Sequence, residues 1–159
     1  TGPQVLVGSS MGGWIALLLS RAMPDRVAGL VGIAAAPDFT VSMWGAFTDA
    51  ERTALQRDGR VEQPSDYADT PYAITRRLIE DGQRQQVLNA PLPLRFPVRL
   101  LQGTADTDVP PAVALRLLDH AEGADIRRTL VKEADHRFST PDCLALIVAA
   151  VEDVLRGQA

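Results

Sequence analysis

Gln4–Leu19 reads QVLVGSSMGGWIALLL and joins a short apolar run to a glycine-rich turn and a second apolar run. The run at 5–7 predicts a strand covered on both faces of a parallel sheet. Residues 8–12 match the pattern G-x-S-x-G, and the apolar residues at 14–19 are typical of a helix. A serine on a sharp turn between strand and helix predicts a nucleophile, which here is Ser10.

The glycines beside this serine have a predicted steric reason. A Cβ at Gly8 or Gly12 is expected to collide with the neighbouring strand or helix. The following helix aims its first N–H groups at the turn, so the Met11 N–H is a candidate donor to an oxyanion. Two alternatives stay open: Ser9 as the nucleophile, off the centre of the motif, and a glycine-rich turn with an incidental serine.

The composition is that of a globular domain and argues against several classes of partner. The chain has 159 residues, of which 46% are hydrophobic and 23% charged, the balance of one globular core. Its formal charge of −4, without a cluster of Lys or Arg, argues against nucleic acid or an anionic membrane surface as a partner. No apolar run is long enough to predict a transmembrane segment.

The histidine, cysteine and acidic residues of the sequence do not indicate a metal or redox site. Two histidines, one cysteine and scattered carboxylates show no ligand spacing, so we predict neither a metal nor another cofactor. Cys143 excludes an internal disulfide because it has no partner, and its apolar helical surroundings predict a buried thiol.

The rest of the chain alternates strands with helices, which predicts an α/β fold with a parallel sheet. Apolar runs predict strands at 27–34, 98–102 and 126–131. Ser139 or Thr140 is expected to cap the last helix. We divide one partial domain into 1–36 with the nucleophile turn and first βαβ unit, 37–96 as a helical lid insertion, and 97–159 carrying the acid and base.

The insertion departs from the strand–helix rhythm and is expected to lie over the site. It carries most of the aromatic residues, whose side chains predict either apolar substrate surface or a small core of the lid itself. Thr48 with Glu51 predicts a capping box and a helix that ends before Gly59. A second helix is predicted from Thr70 as N-cap to Gly82 as C-cap. The aromatic residues are Phe39, Trp44, Phe47, Tyr67, Tyr72 and Phe96.

In this second helix, Arg76 and Arg77 could bind an acidic substrate group. Pairing with Glu80 or Asp81, or simple exposure to solvent, is the interpretation we favour.

Three of the predicted strands end beside groups that together can perform acyl transfer. Ser10, Asp106 and His136 each follow a strand, and the carboxyl ends of parallel strands meet at one sheet edge. A base takes the serine proton and a carboxylate orients that base, so this set predicts nucleophile, acid and base. Asp108 is the alternative acid, or a cap of the next helix. Asp135 is interpreted as a loop carboxylate, and His120 as an exposed or capping residue within a helix.

The chain resembles the C-terminal portion of an α/β-hydrolase. More narrowly, it is similar to the family of the mitochondrial palmitoyl-protein thioesterase that also hydrolyses an acyl-glucuronide, and to its bacterial relatives. The segments that carry the resemblance are GSSMGGW at 8–14, PSDY at 64–67, PVRLLQGTADTDVP at 97–110 and EADHR at 133–137.

The resemblance implies Ser10 as nucleophile, Asp106 as acid and His136 as base, without a cofactor. It implies esters or thioesters with a bulky acyl group as small-molecule substrates, and a mitochondrial location for a eukaryotic member or a cytoplasmic one for a bacterial member. A serine peptidase of the same fold is the alternative enzyme.

In this family a second oxyanion donor comes from a loop after an earlier strand, and the nucleophile strand lies inside the sheet. Because Thr1 is not an initiator Met and that strand starts within a few residues of it, we expect a fragment whose upstream strands are missing. The strand at 5–7 would then be an apolar edge. A fragment that binds ligand with impaired catalysis is therefore a further alternative.

Overall fold

The computed structural model describes residues 2–64 and 69–157. The chain divides into two compact units, one formed by 1–37 with 87–159 and the other by 38–86. The predicted residue Tyr67 and most of the PSDY segment lie outside the described residues. No helix in the described ranges is both apolar and long enough for a membrane crossing.

A parallel sheet forms the centre of the first unit. Its strand order is β1-β2-β6-β8, and all neighbouring pairs are parallel. These strands span β1 Gln4–Ser9, β2 Val27–Ile33, β6 Val98–Gly103 and β8 Ile126–Val131. The helices of this unit are α1 Met11–Ala22, α5 Pro111–His120 and α6 Pro141–Arg156, with a 3-10 turn at Pro24–Arg26 and a short strand pair, β5 Leu92–Pro93 and β7 Ala121–Glu122.

The strands predicted from the apolar runs are therefore present, but β1 is less covered than expected. It lies at one edge of the described sheet, with β2 as its neighbour. Val7 is 52% exposed, and the other two residues of the apolar run are half-buried rather than covered on both faces. The missing coverage follows from the edge position, since an edge strand has a neighbour on one side only.

One face of the sheet packs against α6. Val31, Ile33 and Leu101 from the strands form a buried cluster with Cys143 and Val154 of α6. Thr140 caps this helix by accepting a hydrogen bond from the Cys143 N–H at 3.3 Å, and Pro141 starts it. The buried free thiol and the helix start both agree with the sequence-based expectation.

The second unit has its own small core. It contains α2 Phe39–Ala46, α3 Asp49–Asp58, the antiparallel pair β3 Arg60–Gln63 and β4 Tyr72–Thr75, and α4 Arg76–Arg84. The buried cluster of this unit consists of Phe47, Leu55, Ile74 and Ile79. Phe47 therefore serves the core of the unit, and Phe96 belongs to the first unit.

The predicted capping box at the start of α3 is confirmed. Thr48 Oγ1 accepts from the Glu51 N–H at 3.2 Å, and the Glu51 carboxylate accepts from the Thr48 N–H at 2.7 Å. The Thr48 N–H and the Thr48 hydroxyl, which also donates to this carboxylate at 2.8 Å, lower the pKa of Glu51 below its ordinary value. Gly59 ends the helix in the left-handed conformation with φ 75°.

The helix predicted from Thr70 to Gly82 is wrong at both ends. Residues Tyr72–Thr75 pair with Arg60–Gln63 instead, and α4 begins only after Thr75, whose Oγ1 accepts from the Leu78 N–H at 3.1 Å. Gly82 lies inside α4 and is buried rather than being its C-cap. Arg76 forms the expected ion pair with Glu80 at 3.5 Å, both side chains being about half exposed.

The buried glycine of α4 has a packing role. A Cβ at Gly82 would overlap the side chain of Thr40 in α2, so the two helices approach closely only because no side chain intervenes. Thr40 is itself fully buried. The missing side chain at Gly82 therefore permits the contact between the two helices and does not end α4.

We expect Gly82→Ala to destabilise the protein by about 1–3 kcal/mol through overpacking, although alanine is the better helix former. Gly45→Ala in α2 is the matched control because a Cβ there meets nothing within 4 Å. That control should be neutral or stabilising by up to about 1 kcal/mol. Urea unfolding measures both, and equal effects of the two substitutions would refute the packing role.

A buried arginine ties β6 to α6. Arg99, 7% exposed, donates to the carboxylate of Asp125 through two nitrogens at 3.0 Å and to the carboxylate of Asp153. These hydrogen bonds lower the pKa of Asp125 and of Asp153 below their ordinary values. Both carboxylates are partly exposed, while the guanidinium is buried between them.

Because the pKa of each carboxyl is lowered on folding, their contribution to stability exists above about pH 4 and is lost as the pH falls through the folded-state pKa. Arg99→Met should therefore lower the free energy of unfolding most near neutral pH, with the loss shrinking as the pH is lowered. Arg127→Met, at a residue whose side chain is 67% exposed, should cost much less. Denaturant unfolding across the acid range tests this, and a loss that grows toward low pH would contradict it.

Candidate active site

Ser10 occupies a strained turn between β1 and α1. Its φ is 52° and its ψ is −122°, a left-handed region that a residue with a side chain rarely adopts. Its N–H donates to the Ile33 carbonyl at 2.9 Å, and its carbonyl accepts from the Ala36 N–H at 3.1 Å. The end of β2 thus holds the strained turn in place.

Two of the three glycines around this turn are sterically required. A Cβ at Gly8 would overlap the backbone carbonyl of Gly12, and one at Gly13 would lie 2.6 Å from the Cβ of Ala35. A Cβ at Gly12 would meet nothing within 4 Å, so the expected collision at this position is wrong. The close approach occurs one residue later, where α1 passes the segment that follows β2.

His136 lies between the serine and a buried carboxylate. Its Nε2 is 3.0 Å from Ser10 Oγ, and its Nδ1 is 2.9 Å from Asp106 Oδ2. The side chain of Asp106 is fully buried and that of His136 is 15% exposed. The structure therefore brings together the three residues that the sequence predicted, in the order carboxylate, imidazole, hydroxyl.

The carboxylate of Asp106 accepts hydrogen bonds on both oxygens. Oδ1 accepts from the N–H groups of Asp108 at 3.0 Å and Val109 at 2.8 Å. Oδ2 accepts from Gln102 Nε2 at 2.8 Å in addition to facing the imidazole. Sequence reasoning missed Gln102, because a glutamine inside an apolar strand carries no motif.

The alternative residues lie elsewhere. Asp108 is exposed and offers its N–H to Asp106, while Pro110 occupies the N-cap of α5 without a side-chain cap. His120 Nε2 lies 2.8 Å from the carbonyl of Ala90. The loop carboxylate of Asp135 accepts from the Phe138 N–H at 3.1 Å. Ser9 is the exposed last residue of β1.

The histidine loop is tied to the loop that follows β6. The Ala105 N–H donates to the Ala134 carbonyl at 3.0 Å, and the Glu133 N–H donates to Thr104 Oγ1 at 2.9 Å. Glu133 and Phe138, on either side of the histidine, have positive φ values of 62° and 51°. Strained residues thus flank the base as well as forming the nucleophile turn.

Met11 is the first residue of α1, directly after the serine. The first N–H groups of a helix have no acceptor in the helix itself, and they carry partial positive charge. The Met11 N–H therefore has no acceptor within α1, and it follows Ser10 directly in the chain.

Within the described ranges, Asp106, Asp108 and His136 also form a group with ligand atoms within 4.8 Å of one another, a spacing that could suit a cation. Each oxygen of Asp106 already has two polar partners from the protein. A cation would have to replace some of these contacts, so the arrangement fits proton transfer better.

Comparison with known proteins places the chain in a family. The family model Esterase, described as "Putative esterase", matches residues 1–137. The chain belongs to the esterase family. The protein named "Palmitoyl-protein thioesterase ABHD10, mitochondrial" from Mus musculus is 34% identical over 97% of this chain and 52% of its own length. The protein of that name from Bos taurus is 32% identical, over 97% and 51%. This esterase-family chain spans about half the length of the curated relatives it matches.

Two solved structures have a similar fold. A hydrolase from Agrobacterium vitis S4 is 40% identical with a TM-score of 0.91, covering 94% of this chain and 60% of that one. Mouse alpha/beta hydrolase domain-containing protein 10 is 31% identical with a TM-score of 0.87, covering 100% and 64%. The predicted α/β-hydrolase fold and the resemblance to the thioesterase family are both confirmed.

Gly12 and Gly13 differ in a way that substitution can test. Gly13→Ala should destabilise the esterase-family chain by about 1–3 kcal/mol because its Cβ would collide with Ala35. Gly12→Ala should leave stability unchanged or slightly raised, since alanine favours the helix. Urea unfolding of both variants measures the difference, and a loss at Gly12 as large as that at Gly13 would show that Gly12 is also packed.

Proposed function

We propose that the protein is a serine hydrolase that cleaves carboxylic esters or thioesters through an acyl-enzyme. The observation that carries the proposal is the pair of contacts, 2.9 Å and 3.0 Å, that link Asp106, His136 and Ser10. Membership of the esterase family supports the same class of reaction.

In the proposed mechanism His136 starts neutral, with its proton on Nδ1 and donated to Asp106 Oδ2. The free Nε2 accepts the hydroxyl proton as Ser10 Oγ attacks the substrate carbonyl carbon. Asp106 holds the imidazole in this tautomer and stabilises the imidazolium that forms. The proton passes directly from Ser10 Oγ to His136 Nε2, two atoms that lie 3.0 Å apart.

The tetrahedral intermediate carries its negative charge on the former carbonyl oxygen. We assign the Met11 N–H at the start of α1 as a donor to this oxyanion. When the intermediate collapses, the imidazolium gives its proton to the leaving alcohol or thiol and Ser10 remains acylated. Water, deprotonated by His136 Nε2, then attacks the acyl carbon and releases the acid.

A second oxyanion donor is expected from outside the three loops that form the site. Loss of one such donor typically lowers kcat by about 10²–10³.

The names of the relatives support a substrate class. The mammalian relatives are named palmitoyl-protein thioesterase, and the family model is named for esterases. We therefore propose small-molecule esters and acyl thioesters with a bulky acyl group, and no cofactor is required for the steps described.

A fluorophosphonate probe tests the nucleophile directly, because it phosphonylates a serine only when a neighbouring base activates the hydroxyl. We expect labelling of the protein at Ser10 and complete loss of labelling in Ser10→Ala. Ser9→Ala is the matched control, since Ser9 lies one residue away and should leave labelling intact. Mass spectrometry of the labelled peptide identifies the site.

Labelling that persists in Ser10→Ala, or that disappears in Ser9→Ala, would overturn the assignment. Turnover of acyl thioesters and esters measured beside aminoacyl amides then separates the proposed esterase from a peptidase of the same fold. Faster amide cleavage would contradict the substrate class while leaving the nucleophile intact.

A further inference from the structure

Gln102 is a buried amide beside the acid. It is 1% exposed and lies next to the end of β6, inside an otherwise apolar strand. Arg99 and Leu101 of the same strand contact α6. Because side chains alternate along a strand, Gln102 points to the opposite face, together with Leu100. A methionine or leucine would fill such a place without the cost of burying an amide.

The surrounding atoms determine which way the amide points. Gln102 Nε2 lies 2.8 Å from Asp106 Oδ2, 3.0 Å from the Val109 carbonyl and 3.4 Å from the Gly103 carbonyl. All three neighbours are acceptors, so the nitrogen and not the oxygen must face them. Oε1 is buried without a hydrogen-bond partner among the described residues, which shows that the orientation serves the nitrogen.

The contacts of Asp106 divide into two functions. The N–H groups of Asp108 and Val109 hold Oδ1, and the carboxylate could still pivot about that oxygen. Gln102 Nε2 donates to the other oxygen, Oδ2, which also faces His136 Nδ1. Because Gln102 Nε2 also donates to the Val109 carbonyl, the amide is anchored to the same loop that it positions.

We propose that Gln102 is a positioning residue of the active site. It holds Asp106 Oδ2 in line with His136 Nδ1 by donating a charge-assisted hydrogen bond to that oxygen. This inference rests on the proposed hydrolase function, because it assigns Gln102 a role in setting the base. Gln102 does not touch the substrate and acts only through Asp106.

Two variants of similar size separate positioning from packing. Gln102→Met removes the donor and should lower kcat for a p-nitrophenyl ester by about tenfold, the effect of weakening one charge-assisted hydrogen bond, with KM unchanged. Leu100→Met is the matched control, since Leu100 is 3% exposed on the same face of β6 and its side chain has no hydrogen-bonding group. The control should keep the kcat of the unmodified protein.

Gln102→Glu should lower kcat less than Gln102→Met does, because a protonated glutamate can still donate a hydrogen bond. Two carboxyls at hydrogen-bond distance in a buried site cannot both ionise, so they share one proton. The new carboxyl therefore donates to Asp106 Oδ2 as the amide did. We expect kcat near neutral pH to exceed that of Gln102→Met. The pH profile should gain an alkaline decline, absent from the unmodified protein, where the shared proton is lost.

The proton on His136 Nδ1 gives a readout independent of turnover. Its strongly downfield ¹H resonance reports the hydrogen bond to Asp106, so it should shift upfield or broaden in Gln102→Met and remain in Leu100→Met. An unchanged resonance and kcat in Gln102→Met would overturn the positioning role, as would an equal loss in Leu100→Met or a Gln102→Glu profile without the alkaline decline.

Failure of the inference can be distinguished from failure of the proposed function. If fluorophosphonate labels Ser10 in the unmodified protein and in Gln102→Met at the same rate, the hydrolase assignment stands and the positioning role is wrong. If the unmodified protein is not labelled at Ser10, the hydrolase assignment is wrong, and the Nδ1 resonance alone decides whether Gln102 orients the carboxylate.

Discussion

A contact of 3.0 Å joins His136 Nε2 to Ser10 Oγ across 126 positions of the chain. The nucleophile follows β1 and the base follows β8, which are the outer strands of the described sheet. With β2 and β6 between them, the two strands lie roughly 14 Å apart, since neighbouring strands are about 4.8 Å apart. The loop that carries His136 must therefore pass over the carboxyl ends of β6 and β2 to reach Ser10. Much of the first unit holds this loop in that position.

Main-chain hydrogen bonds run along this edge from one strand end to the next. The Ser10 N–H donates to the Ile33 carbonyl after β1, and the Ala34 N–H donates to the Leu101 carbonyl of β6. The Ala105 N–H then joins the β6 loop to the Ala134 carbonyl beside the base. Each loop is thus held by the next, so the nucleophile, the acid and the base share one backbone framework.

The same framework maintains strained conformations. Ser10, Ala34, Glu133 and Phe138 have positive φ values without being glycine, and each such residue costs on the order of 1–3 kcal/mol. Ser10 has main-chain hydrogen bonds to Ile33 at the end of β2 and to Ala36 just after it, and Phe138 is 1% exposed within the cluster that includes residues of α6. Hydrogen bonds and packing of this kind can offset the strain energy. Strained residues are therefore expected where burial or hydrogen bonds hold the backbone in place.

The amino-acid sequence alone determined features that depend on neighbouring residues: the four strands of the parallel sheet, the serine turn, and the caps at Thr48 and Thr140. It also predicted the three residues proposed for the site. Where local signals compete, it misled. Thr70 and Thr75 both precede helix-forming residues, and pairing of 72–75 with the remote strand at 60–63 decided between them. Gly82 and Gly12 likewise depend on what lies opposite, which is Thr40 in one case and open space in the other. Only the tertiary structure sets such contacts, because they join residues whose spacing in the chain carries no periodic signal, and for the same reason only it showed Gln102 beside the acid.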